Sequence, residues 1–167
     1  MKRQYSLCIP YPEVCGNISP RALETLYNLA FGRFSEMTAV CSYAYQSVIS
    51  EKFADLSEIL SGIAQVEMYH CRLLAKAIFA FGADPVFAGK YNYFSGSYVD
   101  YEKDVTSFLQ NNIEGEGRTV ADYREAADSQ DNSSLSDLYY RIAMDEELHV
   151  RIFTDVLGEF GRLNADE

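Results

Sequence analysis

Between Val105 and Tyr123 apolar side chains recur every three or four positions, at Val105, Leu109, Ile113, Val120 and Tyr123, and one acid, Glu116, falls on the same stripe. That spacing is one face of a helix. Glu114 falls instead beside Gln110, Asn111, Arg118 and Ala121, which predicts Glu116 inside and Glu114 facing solvent or a neighbouring subunit. With this segment counted, four long segments read as helical. The first starts at Ser19-Pro20, a cap residue followed by proline at the first helical position, and runs to about Lys52. The second begins at Asp55, with Glu58 three residues on as a capping box, and stops at Gly82. The third spans about Asp100 to Asp128, and the fourth, capped by Ser134 with Asp137, continues to about Leu163. Residues 82–99 are rich in Gly, Tyr and Ser and show no helical period. A connection of that length can run along a helix pair, so the third helix starts at the same end as the first. The expected fold is all-α: a four-helix bundle over residues 19–167, with a long crossover between helices two and three. An irregular arm, residues 1–18, punctuated by Pro10, Pro12 and Gly16, precedes it.

Two phrases inside these helices repeat. Residues 63–72 read I-A-Q-V-E-M-Y-H-C-R and residues 142–151 read I-A-M-D-E-E-L-H-V-R, and between them they hold both histidines of the chain. Residues three apart share a helix face, so Glu67 and His70 point together, as do Glu146 and His149. Glu36 precedes Glu67 by 31 positions and Glu116 precedes Glu146 by 30, and Tyr43 and Tyr123 each follow their glutamate by seven. Two divalent ions need ligands that neutralise about four positive charges, and four carboxylates capped by two imidazoles suit iron(II) or manganese(II). The expected assignment has Glu67 and Glu146 bridging, Glu36 and His70 on one ion, and Glu116 and His149 on the other. Four acids on apolar stripes point the same way, because an unpaired buried charge costs several kcal/mol. Around them, Asp145 is placed to accept from the free nitrogen of His70, and Tyr43 and Tyr123 to donate to the opposite terminal glutamates.

Composition narrows the function classes. At 167 residues, 48% of them hydrophobic, the chain is one domain with a real core. A formal net charge of −11 without a Lys/Arg stripe argues against nucleic-acid binding. No run of about 18 apolar residues spans a membrane, and the start shows no signal-peptide pattern, so a cytoplasmic location is expected. No Cys-x-x-Cys pair occurs; Cys41 and Cys71 read as buried thiols, and the spacing of Cys8 and Cys15 matches no familiar zinc site.

One Glu from each of two helices and a Glu-x-x-His from each of the others is the ligand pattern of ferritin-like carboxylate proteins. The assembled residues resemble the rubrerythrin and bacterioferritin branch of that superfamily across residues 19–163. Short rubrerythrin-like proteins share Tyr11-Pro12-Glu13, the run from Ser35 to Val40, and Asn112-Ile113-Glu114-Gly115-Glu116. The resemblance implies a di-iron centre, with manganese as the alternative metal, acting on peroxide or O2. Rubrerythrins usually add a rubredoxin module that holds iron with Cys-x-x-Cys pairs; this sequence shows no such pair, so electrons are expected from an external donor protein. Their additional helix-three glutamate is Thr119 here. Met68 stands where bacterioferritin carries its haem-binding methionine and is read as packing. No fifth helix follows helix four, so a small oligomer is expected, most simply a homodimer through Leu23, Tyr27, Phe31 and Phe34.

Overall fold

The computed structural model describes residues 4–165; residues 1–3 and 166–167, at the outer ends of the expected arm and bundle, lie outside the described residues. Helix α1 (Pro20–Phe31) begins as the sequence predicts, with the Ser19 hydroxyl accepting from the Ala22 N–H at 3.1 Å. It does not continue to Lys52. The chain breaks at Gly32 and restarts as α2 (Glu36–Ile49), capped by Ser35. A Cβ at Gly32 would lie 2.5 Å from the Asn28 carbonyl oxygen, and the crossover brings Gly89 against the Gly32 backbone. Thr38 closes the break by donating to the carbonyls of Gly32 and Arg33, at 3.3 and 3.1 Å. Glu36 thereby becomes the first residue of a helix, where unpaired N–H groups favour a carboxylate.

Helix α3 (Ala54–Ala80) returns antiparallel to α1 and α2. The predicted Asp55/Glu58 box does not form: Asp55 lies inside the first turn, and the cap position is Phe53, which offers no side-chain acceptor. Gly82 ends this segment with φ +83°, letting Ala83 N–H reach the Ile78 carbonyl at 3.2 Å. Helix α4 (Val105–Asp128) starts five residues later than expected, because Asp104, rather than Asp100, caps it through Ser107 N–H at 2.9 Å. Helix α5 (Ser133–Ala165) is capped by Asn132, which accepts from Leu135 N–H at 3.0 Å; Ser134 is occupied with the arm. With α1 and α2 together forming one side, the fold is the all-α four-helix bundle.

The crossover runs back along the first side. Tyr27 donates to the Asp84 carbonyl (2.5 Å), Lys90 N–H to Asn28 Oδ1 (2.7 Å), and Asp100 N–H to Ser42 Oγ (3.0 Å). Phe87 stacks on Phe31 at 4.6 Å; Phe31 is buried, Leu23 and Tyr27 are half-buried, and Phe34 is exposed. Met68 is no packing residue either; it is 46% exposed on the outside of α3. Two apolar clusters fill the bundle. One joins Leu26 and Phe31 to Leu74, Ile78 and Tyr139; the other joins Leu60 and Ile63 to Phe108 and Phe153. Between them lies a layer of charge. Among the described residues no helix is long and apolar enough to cross a membrane.

Candidate metal centre

Four helices each send acids into that layer. Glu36 opens α2, Glu67 and His70 share a face of α3, Glu116 lies midway along α4, and Glu146 and His149 share a face of α5. All six are at most 2% exposed. Helical phase in α4 is as predicted at the acids, with Glu116 buried and Glu114 exposed, but the buried face is turned slightly. Phe108 and Asn112 are buried, whereas Val105, Ile113 and Val120 are half-buried.

Ligand atoms fall into two groups, Glu36, Glu67, His70 and Glu146, then Glu67, Glu116, Glu146 and His149, each with its atoms within 4.8 Å of one another. Glu67 and Glu146 belong to both. Each imidazole turns Nδ1 inward: that of His70 lies 2.9 Å from Glu146 Oε1 and 3.4 Å from Glu67 Oε2, and that of His149 lies 2.8 Å from Glu67 Oε1 and 3.3 Å from Glu146 Oε2. Yet Glu67 Oε1, Glu146 Oε1 and His70 Nδ1 make no hydrogen bond. They crowd together at 2.8–2.9 Å without hydrogen-bond geometry. Leaving a buried polar atom unsatisfied costs about 1–3 kcal/mol, and a divalent cation between these atoms would satisfy them all. The donor set fits two such ions.

Protonation follows from the same crowding. Burial, then the charges of Glu146 and Glu67, push the Glu36 carboxyl well above the usual range; burial, then Glu67 and Glu146, do the same to Glu116. Burial and mutual repulsion also oppose ionisation of Glu67, but the two imidazoles outweigh them and hold it low. For Glu146, burial is likewise outweighed by the two nearby imidazoles, His149 and then His70, which hold it low. Burial alone would keep both histidines neutral, and the surrounding carboxylates instead raise them well above the ordinary value. In the absence of metal, protons stand in for cations.

A second ring of contacts surrounds these groups. The phenol of Tyr43 donates to Glu116 Oε1 and that of Tyr123 to Glu36 Oε1, each crossing the bundle to the other half of the repeat. Asp145 Oδ2 lies 3.2 Å from His70 Nε2. Four residues that the sequence pattern did not place at the site meet here. Leu7 N–H (2.8 Å) and the Tyr11 phenol (2.5 Å) donate to Asp145, Arg141 Nη1 pairs with it at 2.9 Å, and the Tyr5 carbonyl lies 2.9 Å from His149 Nε2. Against burial, these bonds hold the Asp145 carboxyl down at about 2. Arg141 also donates to the carbonyls of Leu7 and Ile9, at 2.8 and 2.9 Å, tying the arm down. An arginine four residues before Asp145 was the available signal; the arm's carbonyls leave none. Cys8 and Cys15 are free and exposed. On the opposite, carboxylate side, a cavity of about 320 Å³ between α2 and α4 reaches Glu36, Glu67, Glu116 and Glu146, with Phe34 and Thr119 among its walls.

An all-α bundle with this crossover and a Glu-x-x-His on each of two helices defines a ferritin-like protein. The family model described as Rubrerythrin matches residues 28–160, and the chain belongs to the rubrerythrin family. No curated protein sequence matches it significantly. Among solved structures, KatB, a manganese catalase from Anabaena, has a TM-score of 0.83 at 22% identity, over 98% of this chain and 82% of its own. The Desulfovibrio desulfuricans bacterioferritin, with its di-iron site, has a TM-score of 0.72 at 20% identity, covering 86% of this chain and 81% of its own. A dodecameric thioferritin from Bacteroides fragilis has a TM-score of 0.72 at 22% identity, covering 90% and 93%. These likenesses establish the shared fold.

Proposed function

We propose that the protein is a di-iron carboxylate oxidoreductase that reduces peroxide, or O2, with electrons from an external donor protein in the cytoplasm. The observation that carries this reading is the convergence of six buried acids and histidines into two adjoining groups that share Glu67 and Glu146, with three of their ligand atoms making no hydrogen bond. Glu67 and Glu146 would bridge two ions, Glu36 and His70 would complete one, and Glu116 and His149 the other. When bound, two ferrous ions supply the two electrons that reduce one peroxide to water. The chain supplies the rest. Tyr43 and Tyr123 hold the terminal carboxylates in place through their phenolic protons. The arm covers the histidine side, and the cavity between α2 and α4 admits a small molecule to the carboxylate side. Thr119, whose Oγ1 donates to the Gly115 carbonyl at 3.1 Å, adds no further carboxylate to that wall.

The test is metal content together with peroxide consumption, with and without reductant. Two irons per chain, and consumption that stops when reductant is exhausted, support the reading. Less than one ion per chain after reconstitution with iron and manganese would sink it. A second reading is a manganese catalase, favoured by the likeness to KatB over nearly the whole chain and by a ligand set equally suited to Mn(II). Steady oxygen evolution from peroxide without reductant, strongest in manganese-loaded protein, would move the assignment there. Oxidation of reduced protein by O2 faster than by peroxide would favour a ferroxidase or iron-handling role.

A further inference from the structure

The two halves of the repeat match in their ligands but not in what stands behind the histidines. Behind His70, Nε2 lies between Asp145 Oδ2 at 3.2 Å and the Tyr11 phenolic oxygen at 3.1 Å. Tyr11 gives its own proton to Asp145, so its oxygen is free to accept, and its ring is fixed by Arg141 beneath it (4.2 Å) and Tyr69 against its edge (5.3 Å). Behind His149, no carboxylate of the described residues takes that place. Nε2 faces the Tyr5 peptide oxygen at 2.9 Å, and Tyr5 is located by its ring, which packs over Gly62 so closely that any Cβ there would overlap it.

Resting on the dimetal reading above, we propose that the N-terminal arm is part of the metal centre and makes its two positions unlike. Tyr11, with Asp145, is the positioning residue for His70, and the peptide oxygen of Tyr5 positions His149. A carboxylate behind one imidazole and a neutral peptide dipole behind the other give the two Nδ1 atoms different donor strength. Outer partners of metal-bound histidine fix its tautomer and orientation, and their loss typically costs about 10–100-fold in metal affinity. The Tyr11 proton and Arg141 together temper the charge of Asp145, so removing the hydroxyl changes the basicity of His70 as well as its freedom.

The experiment loads wild type, Tyr11→Phe, Gly62→Ala and Tyr93→Phe with iron-57, then follows Mössbauer spectra and the release of each iron to a chelator. Wild type should show two distinguishable irons. Tyr11→Phe, which keeps the ring, should shift one iron's signal and release that iron about 10-fold faster. Gly62→Ala should displace Tyr5 and affect the other iron. Tyr93→Phe, at an exposed position of the crossover away from the arm, should leave both unchanged. Equal loosening of both irons in Tyr11→Phe, with unshifted signals, would show that the arm merely stabilises the bundle, and no effect on either would overturn the proposal outright. Wild-type protein that never takes up a pair of irons would remove the dimetal reading itself, and this inference with it.

Discussion

At the scale of single residues, the deciding quantity is the cost of burying charge. Glu114 and Glu116 are two positions apart and chemically identical, yet one is exposed and the other 2% exposed between the charges of Glu67 and Glu146. Glu116→Ala should therefore strip most of the metal from its position, while Glu114→Ala should leave metal content within error. Iron analysis of the two variants checks this, and equal losses would refute the phase assigned to α4. The apolar stripe made this pair legible because a period of 3.6 places Glu116 among inward positions. What it misplaced is instructive. Asn112 is buried because Gln46 answers it across the bundle, the two amides exchanging bonds at 2.8 and 3.3 Å. A pairing between residues 66 positions apart leaves no trace in local periodicity.

Helices and their ends obey a different balance. The expected first helix, continuous from Pro20 to about Lys52, is energetically acceptable as an isolated segment; one glycine costs only about 1 kcal/mol. The break at Gly32–Ser35 wins because it brings the crossover backbone against Gly32 and puts Glu36 at a helix start. Cap choice shows the same influence of distant contacts. Ser134 satisfies the local rule for α5, but it bonds to Cys15 of the arm, and Asn132 takes the cap. Asn132 also donates to the carbonyls of Cys15 and Asn17, at 2.8 and 3.1 Å. Asn132→Ala should consequently destabilise the fold by about 1–2 kcal/mol, the upper part of the range for a lost cap. Asp137→Ala, at the exposed position the sequence suggested as cap partner, should change it by less than about 0.5 kcal/mol. Denaturant midpoints of the two variants measure the difference.

For the whole molecule, the charged layer couples stability to metal and pH. Glu36, Glu116, His70 and His149 all have folded-state values raised above their ordinary ones. A raised group stabilises the fold fully below its unfolded value and loses that contribution as pH rises through its folded value. Metal-free protein should therefore weaken as pH climbs above about 6.5, the ordinary histidine value, when the layer must give up protons it needs. Bound cations replace those protons. Metal loading should release protons, weaken as pH falls, and raise the melting temperature more at pH 8 than at pH 6. Calorimetric scans of metal-free and loaded protein at both values test this; a metal-induced rise that is larger at pH 6 would contradict it.

Much of this protein is determined by its sequence alone. Helical periodicity, two Glu-x-x-His phrases and matched glutamates at repeat spacing imply four helices and six inward acids and histidines, because helix geometry is local and converts spacing directly into direction. Tyr43 and Tyr123 are legible for the same reason, being set by the repeat. Tertiary structure alone decided the rest: the break before Glu36, the covering of Phe31 by Phe87, and the folding of residues 5–11 over the histidines. Those features depend on peptide carbonyls and on contacts between residues more than 50 positions apart. A backbone oxygen looks the same at every position of a sequence, and only the folded chain gives Tyr5 a histidine to hold.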